Sequence, residues 1–228
     1  MTDMRAPITV LMPTLDAAAH MPRALASLGE GLTQGLIREL VVSDGGSTDA
    51  TLDIADAAGA VIVTGPASRG GQLRRGAAEA RADWLMVLHA DTILEEGWNR
   101  PVAEAIRARQ AGYFTLRFDA RGLAPRVVAG WANLRARTFG LPYGDQGLLL
   151  PLSLYHEAGG YPDIPLMEDV ALARALRGRL KPLDVTATTS AERYRKQGWI
   201  VRGGRNLSTL TRYLAGADPE TLARRYRS

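Results

Sequence analysis

Four short polar clusters stand where apolar runs end, and each holds a side chain able to do chemistry. Asp44 closes the run Leu40-Val41-Val42-Ser43 and opens the turn Gly45-Gly46-Ser47-Thr48-Asp49. A carboxylate there can accept hydrogen bonds from a nucleobase or ribose, and the glycines let a ligand approach the backbone. The same aspartate can equally fasten its own turn. Arg69-Gly70-Gly71-Gln72 joins a guanidinium to two glycines and a helix start, a setting that favours an anion. It is not a phosphate-binding P-loop, because Gly71-Gln72 follows Gly70 where Lys and Ser/Thr are required. His89-Ala90-Asp91 follows Trp84-Leu85-Met86-Val87-Leu88. A carboxylate there can hold Mg²⁺ or Mn²⁺ against a diphosphate, with phosphate and water oxygens completing the shell. The ion would neutralise charge building on a departing diphosphate. With Thr92 and Glu95-Glu96 just beyond, the alternative is a helix cap. In Glu168-Asp169, one carboxylate can cap a helix while the other serves as general base.

These clusters need a scaffold that ends several strands at one edge. Ile8-Thr9-Val10-Leu11-Met12, closed by Pro13, reads as a buried strand. Leu40-Val41-Val42, Val61-Ile62-Val63 and Trp84 to Leu88 repeat the pattern. Pro22 suits the first turn of a helix with Leu25 and Leu28. Ser47, Thr48 or Asp49 can cap a second helix, with Leu52, Ala55 and Ala58, that stops at Gly59. A third is expected from about Gly71 to Ala82. Four strands alternating with helices imply a parallel sheet with right-handed crossovers, whose ligands sit off the strands' carboxyl ends. Thr14 and Asp16, Asp44, Arg69, and His89 with Asp91 would meet there from four loops.

The second half is less regular. Pro101 starts a helix with Val102 and Ile106, and Tyr113 to Phe118 alternates like a strand. A helical stretch holds Val127, Trp131 and Leu134; Tyr143-Gly144-Asp145-Gln146-Gly147 then leads into Leu148-Leu149-Leu150. Gly159 to Pro165 is a loop by its turn residues, and Glu168-Asp169 opens a helix with Leu172, Ala175 and Leu176. Ile200, Leu207, Leu210 and Leu214 share a helical stripe with Arg205 and Arg212 opposite, although Gly203-Gly204 weakens that helix.

The 228 residues correspond to between one and two domains at roughly 150 residues each, and one domain is the simplest reading. With 46% hydrophobic and 23% charged residues, wholly disordered and collagen-like chains are excluded. No apolar run approaches the ~20 residues of a membrane span. Met1-Thr2-Asp3-Met4-Arg5 lacks a signal-peptide layout. Cysteine is absent, which excludes disulfides, zinc–thiolate sites and cysteine nucleophiles. A cytoplasmic enzyme or binding domain is the expectation. The net charge of +4 comes from the C-terminus, since Ser190 to Ser228 carry nine basic and three acidic residues. Such a segment suits phosphates, anionic lipid or nucleic acid, or is a solvated helix face.

Taken in order, Met12-Pro13-Thr14-Leu15-Asp16, Val42 to Asp49, Leu88-His89-Ala90-Asp91-Thr92 and Met167-Glu168-Asp169 make the sequence resemble a family 2 glycosyltransferase of the GT-A fold. Arg69 to Gln72, His89 to Thr92 and Gly144-Asp145-Gln146-Gly147 further resemble a compact bacterial subgroup labelled for arsenosugar biosynthesis. The resemblance implies an α/β, Rossmann-like, mostly parallel central sheet flanked by helices, with a helical C-terminal segment. It implies a single domain over 1–228: a nucleotide-binding half (1–92), an acceptor and catalytic half (93–189) and a basic helical segment (190–228). The activity implied is inverting transfer of one sugar from a nucleotide-diphosphate-sugar donor to an unidentified acceptor hydroxyl. Pro13, Thr14, Asp16, Asp44, Arg69, Gln72, Ala90 and Asp91 would bind the donor, with Asp44 facing the base and Arg69 the phosphates. Asp91 would hold Mg²⁺ or Mn²⁺, and Asp169 would be the catalytic base with Glu168 beside it. His89, Asp145 and Gln146 fall on the acceptor or donor-sugar side. Two departures stand out: His89 replaces the first residue of the family's Asp-x-Asp motif, and Asp16 stands where many members carry Glu. The Gln-x-x-Arg-Trp motif of processive synthases is missing, which favours single transfer.

Two rivals come from other classes. A nucleotidyltransferase making nucleotide sugars would carry a Gly-rich basic loop where Pro13-Thr14-Leu15-Asp16 stands. A noncatalytic nucleic-acid binder would use the basic tail, but no recognition motif is present and aromatics are only 6%, so nucleic acid is not expected. A third use of the tail is peripheral contact with an anionic membrane near a lipid acceptor.

Overall fold

Trp84, Met86 and Leu88 turn to one face of the central sheet and Leu85 and Val87 to the other, and all five are buried. Ile8 and Val10 join the first face, Leu11 and Val41 the second. Strands covered on both faces have no reason to alternate with polar residues, which is why they read as continuous apolar runs. The computed structural model describes residues 6–227; Met1 to Arg5, read above for a leader signature, lie outside the described residues.

The first half runs β1 (Ile8–Thr14), α1 (Met21–Ser27), α2 (Gly29–Thr33), β2 (Ile37–Asp44), α3 (Thr51–Ala57), β3 (Val61–Thr64), α4 (Arg69–Ala78) and β4 (Trp84–Val87). The second runs β5 (Thr92–Leu94), α5 (Asn99–Arg107), β6 (Gly112–Phe118), α6 (Leu123–Phe139), a 3-10 turn (Gly144–Gln146), β7 (Leu148–Pro151), α7 (Leu152–Glu157), α8 (Glu168–Ala175) and β8 (Lys181–Thr189). Three helices finish the chain: α9 (Glu192–Gln197), α10 (Trp199–Leu214) and α11 (Pro219–Arg227). The eight strands form one sheet in the order β3-β2-β1-β4-β7-β6-β8-β5. β1 is parallel to β2 and β4, β2 to β3, and β6 to β8. β7 runs antiparallel to β4 and β6, and β5 antiparallel to β8. The mostly parallel α/β architecture expected of the sequence is the architecture present.

Because β1 lies between β2 and β4, the chain leaves it in opposite directions, and a crevice opens at that switch point. The antiparallel β7 enters the sheet at the same edge, so the turn preceding it joins the loops after β1, β2 and β4. α4 lies flat across β1 and β2 because Gly76 has no side chain; a Cβ there would sit 2.2 Å from Leu11 Cδ1.

Local details differ from the sequence reading. α3 begins after Ala50, and Asp49 caps it from one residue further out by accepting the Thr51 N–H at 3.0 Å. α10 is unbroken through Gly203-Gly204. Its apolar stripe is not a core stripe, since Leu210 is buried while Ile200, Leu207 and Leu214 are exposed. α4 ends at Ala78 rather than near Ala82.

Candidate active site

A cleft of about 1190 Å³ opens off the ends of β1 and β4. Pro13, Thr14 and Asp16 line it from the β1 loop, and His89, Ala90 and Asp91 from the β4 loop. Arg69 and Gln72 enter from the first turn of α4. Eight of the residues singled out in the sequence thus share one cavity, although they span 79 positions between Pro13 and Asp91. Asp16 knits the rim: its Oδ1 accepts the Thr48 N–H at 2.8 Å, and its own N–H donates to Ser47 Oγ at 2.8 Å. It does so at φ 48°, a left-handed conformation costly for any residue with a Cβ.

Asp44 is different. It is fully buried and does not line the cleft. Its Oδ1 accepts the hydroxyls of Thr14 (2.9 Å) and Ser47 (2.5 Å), and its Oδ2 the N–H groups of Gly46 and Ser47 (both 2.7 Å). Four donors occupy both carboxylate oxygens. Burial works against the charge, but those donors hold the carboxyl below the usual aspartate range. In this structure Asp44 fastens its own turn and the Thr14 hydroxyl. Gln72 also has a structural task, donating Nε2 to the carbonyls of Thr14 (2.7 Å) and Ser43 (3.0 Å).

A second cavity, of about 530 Å³, adjoins the first and shares Arg69, Leu166, Arg193 and Tyr226 with it. Its floor is the acidic start of α8. Met167 precedes that helix at φ 70°, a strained conformation for a residue with a Cβ that costs of order 1–3 kcal/mol; Glu168 and Asp169, which follow it, line the cavity. Asp169 is held by two backbone donors, Gly144 N–H on Oδ2 and Val170 N–H on Oδ1, both at 2.7 Å. Glu168 is almost fully buried, with Oε1 3.6 Å from Arg69 Nε. Burial and then the neighbouring Asp169 push its carboxyl up, to about 7, against the pull of Arg69. Arg69 is held in its charged form by Glu168, then Asp145, Asp169 and Asp91, which together outweigh its desolvation.

Asp145 lines the second cavity and touches the first through His89. Its Oδ1 lies 3.3 Å from His89 Nδ1, which is itself 3.3 Å from Arg69 Nη2. Burial disfavours its charge, yet His89, Arg69 and Arg193 hold it far below the usual carboxylate range. Gln146 does not join them. It is fully buried, its Oε1 accepting from Tyr143 N–H (3.2 Å) and Arg135 (3.4 Å) and its Nε2 donating toward Phe114 O (3.4 Å). In this structure it braces the turn from within, with both amide atoms engaged by protein groups.

Sequence reasoning missed the wall that the C-terminal segment builds. Arg193 and Tyr226 line both cavities, and Arg202 and Asn206 the second. Tyr226 donates its hydroxyl to Asn206 Oδ1 at 2.7 Å, and Asn206 donates to Tyr194 Oη at 2.9 Å. The Arg202 guanidinium lies 5.3 Å from the Tyr194 ring centre and 5.7 Å from that of Tyr226. The tail's positive charge was the visible signal; that part of it points inward was not.

Among the described residues, no three His, Asp or Glu side chains come together as a ready-made cation cage. Asp91 is a single carboxylate facing the cleft, and His89, where a second would stand, is engaged with Asp145 and Arg69. This donor set fits an ion whose remaining ligands arrive with a diphosphate, not one held by protein alone.

The model of the family described as glycosyl transferase family 2 matches residues 9–137, which include the loops after β1, β2 and β4. The PGL/p-HBAD biosynthesis glycosyltransferases of Mycobacterium tuberculosis and Mycobacterium bovis are 37% identical over 101 residues, 41% of this chain and 39% of theirs. The aligned part of the chain thus spans about two fifths of those curated relatives. Among solved structures, S. aureus TarS 1–349 in complex with UDP-GlcNAc superposes with a TM-score of 0.59 at 15% identity, covering 80% of this chain and 58% of that one. Glucosyl-3-phosphoglycerate synthase from Mycobacterium tuberculosis, solved with Mn²⁺, UDP and phosphoglyceric acid, gives 0.57 at 20% identity, covering 81% and 69%. At these identities the likeness is one of fold, and the fold is GT-A. With more than half its length matched by the family model, the chain belongs to glycosyl transferase family 2.

Proposed function

We propose that the protein is an inverting glycosyltransferase that moves a single sugar from a nucleoside-diphosphate-sugar to an acceptor hydroxyl. The observation that carries this reading is that the cleft at the β1/β4 switch point opens, through Arg69, onto the carboxylate pair of α8. Complexes of two fold relatives with UDP-GlcNAc or UDP support a nucleotide donor. The proposed division of labour follows: 1–92 supply the donor cleft, 93–189 the carboxylates, and 190–228 the basic closing wall.

In this reading the nucleotide lies along the β1 loop, over the shelf that Asp44 and Gln72 brace from beneath. The diphosphate lies between Arg69 and Arg193, whose charges oppose the negative charge of the leaving group. His89 and Asp145 flank the sugar where the two cavities join. The acceptor oxygen attacks the anomeric carbon from the side opposite the diphosphate. As that bond forms, the bond from carbon to diphosphate oxygen breaks and its electron pair leaves with the nucleoside diphosphate. Asp169 takes the acceptor proton; its backbone hydrogen bonds fix the carboxylate for that transfer. Asp91 would hold a Mg²⁺ or Mn²⁺ ion, which when bound neutralises diphosphate charge; two structures of one relative that contain Mn²⁺ with UDP support this. A surface contact between the basic C-terminal segment and anionic lipid belongs to the same reading.

The test is Asp169→Asn. Donor affinity, measured by calorimetry with nucleoside diphosphates and nucleotide sugars, should stay within about threefold of wild type. Transfer should fall by roughly 10²-fold or more, the scale of a lost general base. Turnover near the wild-type rate would remove Asp169 from its role.

A further inference from the structure

The outward face of α6 is apolar where a solvated helix should be polar. Leu123, Val127, Trp131 and Leu134 recur every three or four residues, and they are 78%, 59%, 46% and 56% exposed. Such spacing places them on one stripe. α10 packs beside α6, and its Ile200, Val201, Leu207 and Leu214 are exposed as well. Isolated exposed apolar residues are unremarkable, but a contiguous two-helix face marks a docking surface.

Charge identifies what docks. Residues 120–144 and 193–217, which contain these helices, hold ten basic residues and no acidic one, in a chain whose net charge is +4. Arg126 and Arg137 flank the α6 stripe, Arg212 is exposed on α10, and no described carboxylate forms an ion pair with any of the three. An apolar stripe rimmed by arginine fits the boundary between headgroups and acyl chains of an anionic bilayer, where rings and aliphatic groups enter and guanidinium groups meet phosphate. No described helix is long and apolar enough to cross a membrane, so the contact would be peripheral.

The same face leads inward. Between α6 and α10 lies a narrow surface groove walled by Phe118, Trp131, Ala132 and Leu207. Its inner end reaches Tyr143 and Asp145, which also border the Glu168–Asp169 cavity. We infer that the α6–α10 face docks on an anionic lipid bilayer and that the groove admits the apolar part of a membrane-resident acceptor, bringing its hydroxyl to the carboxylates. This relocates the lipid contact from the basic tail alone to an apolar face of two helices. The docking stands without the transfer reading; the acceptor route rests on it.

The experiment is flotation of the full-length chain with vesicles of phosphatidylcholine alone or mixed with phosphatidylglycerol, at low and high salt. Wild type should float with the anionic vesicles, weaken as salt rises, and stay behind with phosphatidylcholine. The pair Val127→Glu and Leu134→Glu, both outside the groove, should lower anionic-vesicle affinity at least tenfold while circular dichroism and the thermal midpoint remain those of wild type. Tryptophan emission should shift to the blue on vesicle addition, and Trp131→Phe should abolish most of that shift. Asp169→Asn should float like wild type even if transfer is lost, which separates this proposal from the catalytic one. The proposal is overturned if wild type does not float, or if the double variant floats equally well, since the basic tail alone would then suffice. It is also overturned if light scattering finds a dimer that the double variant dissolves, because a second copy would then be the occupant.

Discussion

Glu168→Gln should stabilise the protein, and only above acidic pH. The wild-type carboxyl is buried beside Asp169, and its pKa rises from an ordinary 4.5 to about 7. Between those values the folded state keeps a proton that the unfolded state has lost. Stability contributed by this group is therefore fully present below pH 4.5 and falls as pH rises toward 7. At about 1.4 kcal/mol per unit, the deficit above pH 7 is of order 3 kcal/mol. Glutamine fills the same volume without a charge to desolvate. Arg69 keeps Asp145, Asp169 and Asp91 as electrostatic partners, so the substitution does not strand its charge. A gain of roughly 2–3 kcal/mol at pH 8 corresponds to a midpoint rise of about 5–10 °C for a chain of this size. The assay is thermal unfolding of wild type and variant from pH 4.5 to 8.5, taking the difference at each pH so that every other titrating group cancels. The gap should open between pH 5 and 7 and then stay flat. A variant less stable than wild type at pH 8, or a gap that ignores pH, would show that Arg69 stabilises the carboxylate more than burial destabilises it, and the account of the acidic pair would be wrong.

Gly70→Ala should cost about 1–3 kcal/mol in denaturant unfolding. Its Cβ would lie 2.1 Å from Pro162 O and 2.8 Å from Ile164 N, and backbone cannot swing aside as a side chain can; a neutral effect would mean that the α4 start and the loop before α8 are not in fixed contact. Asp91→Ala should weaken nucleoside-diphosphate binding at least tenfold when Mn²⁺ is present and little when it is absent. Calorimetry giving the same affinity in all four combinations would remove the ion from Asp91.

The first half was legible because its elements announce themselves locally. β1 to β4 are apolar runs, each closed by proline, glycine or a polar turn, and the order of runs and helices specifies the parallel sheet. The rest hid for identifiable reasons. β5 is only three residues long, too short for any period. β8 did carry a signal, since Leu183, Val185, Ala187 and Thr189 alternate and are buried, but Pro182 at its second position masks its start. Gly203-Gly204 argued against a helix that packing against α6, α9 and α11 enforces. Residue type alone does not tell how two side chains of the site are placed. Asp44 and Gln146 are polar residues in motif positions, yet burial turns both inward to satisfy backbone groups. No local pattern distinguishes a side chain that meets a ligand from one that shapes the shelf beneath it. Arg193 and Tyr226 stayed hidden because nothing in the sequence gives the path by which the tail returns to the cleft.

One arginine, Arg69, joins the two cavities. Arg69 sits at the start of α4, where a helix N-terminus already favours an anion, but four carboxylates surround it before any anion arrives. In the proposed reading, a diphosphate entering here competes with Glu168 for the same guanidinium. What makes the exchange feasible is that Glu168 gives up little: with its pKa pushed up, it can meet the loss of its partner by taking a proton rather than standing as a buried, unpaired charge. Asp145 cannot do this, because His89 and Arg193 hold it ionised as well. The two acids beside Arg69 are therefore unequal by construction. Asp145 remains a fixed negative charge that keeps His89 and the arginines oriented, while Glu168 is the ligand that yields. Asp169, tied to backbone on both oxygens, stays outside that exchange, as the proposed role of general base requires.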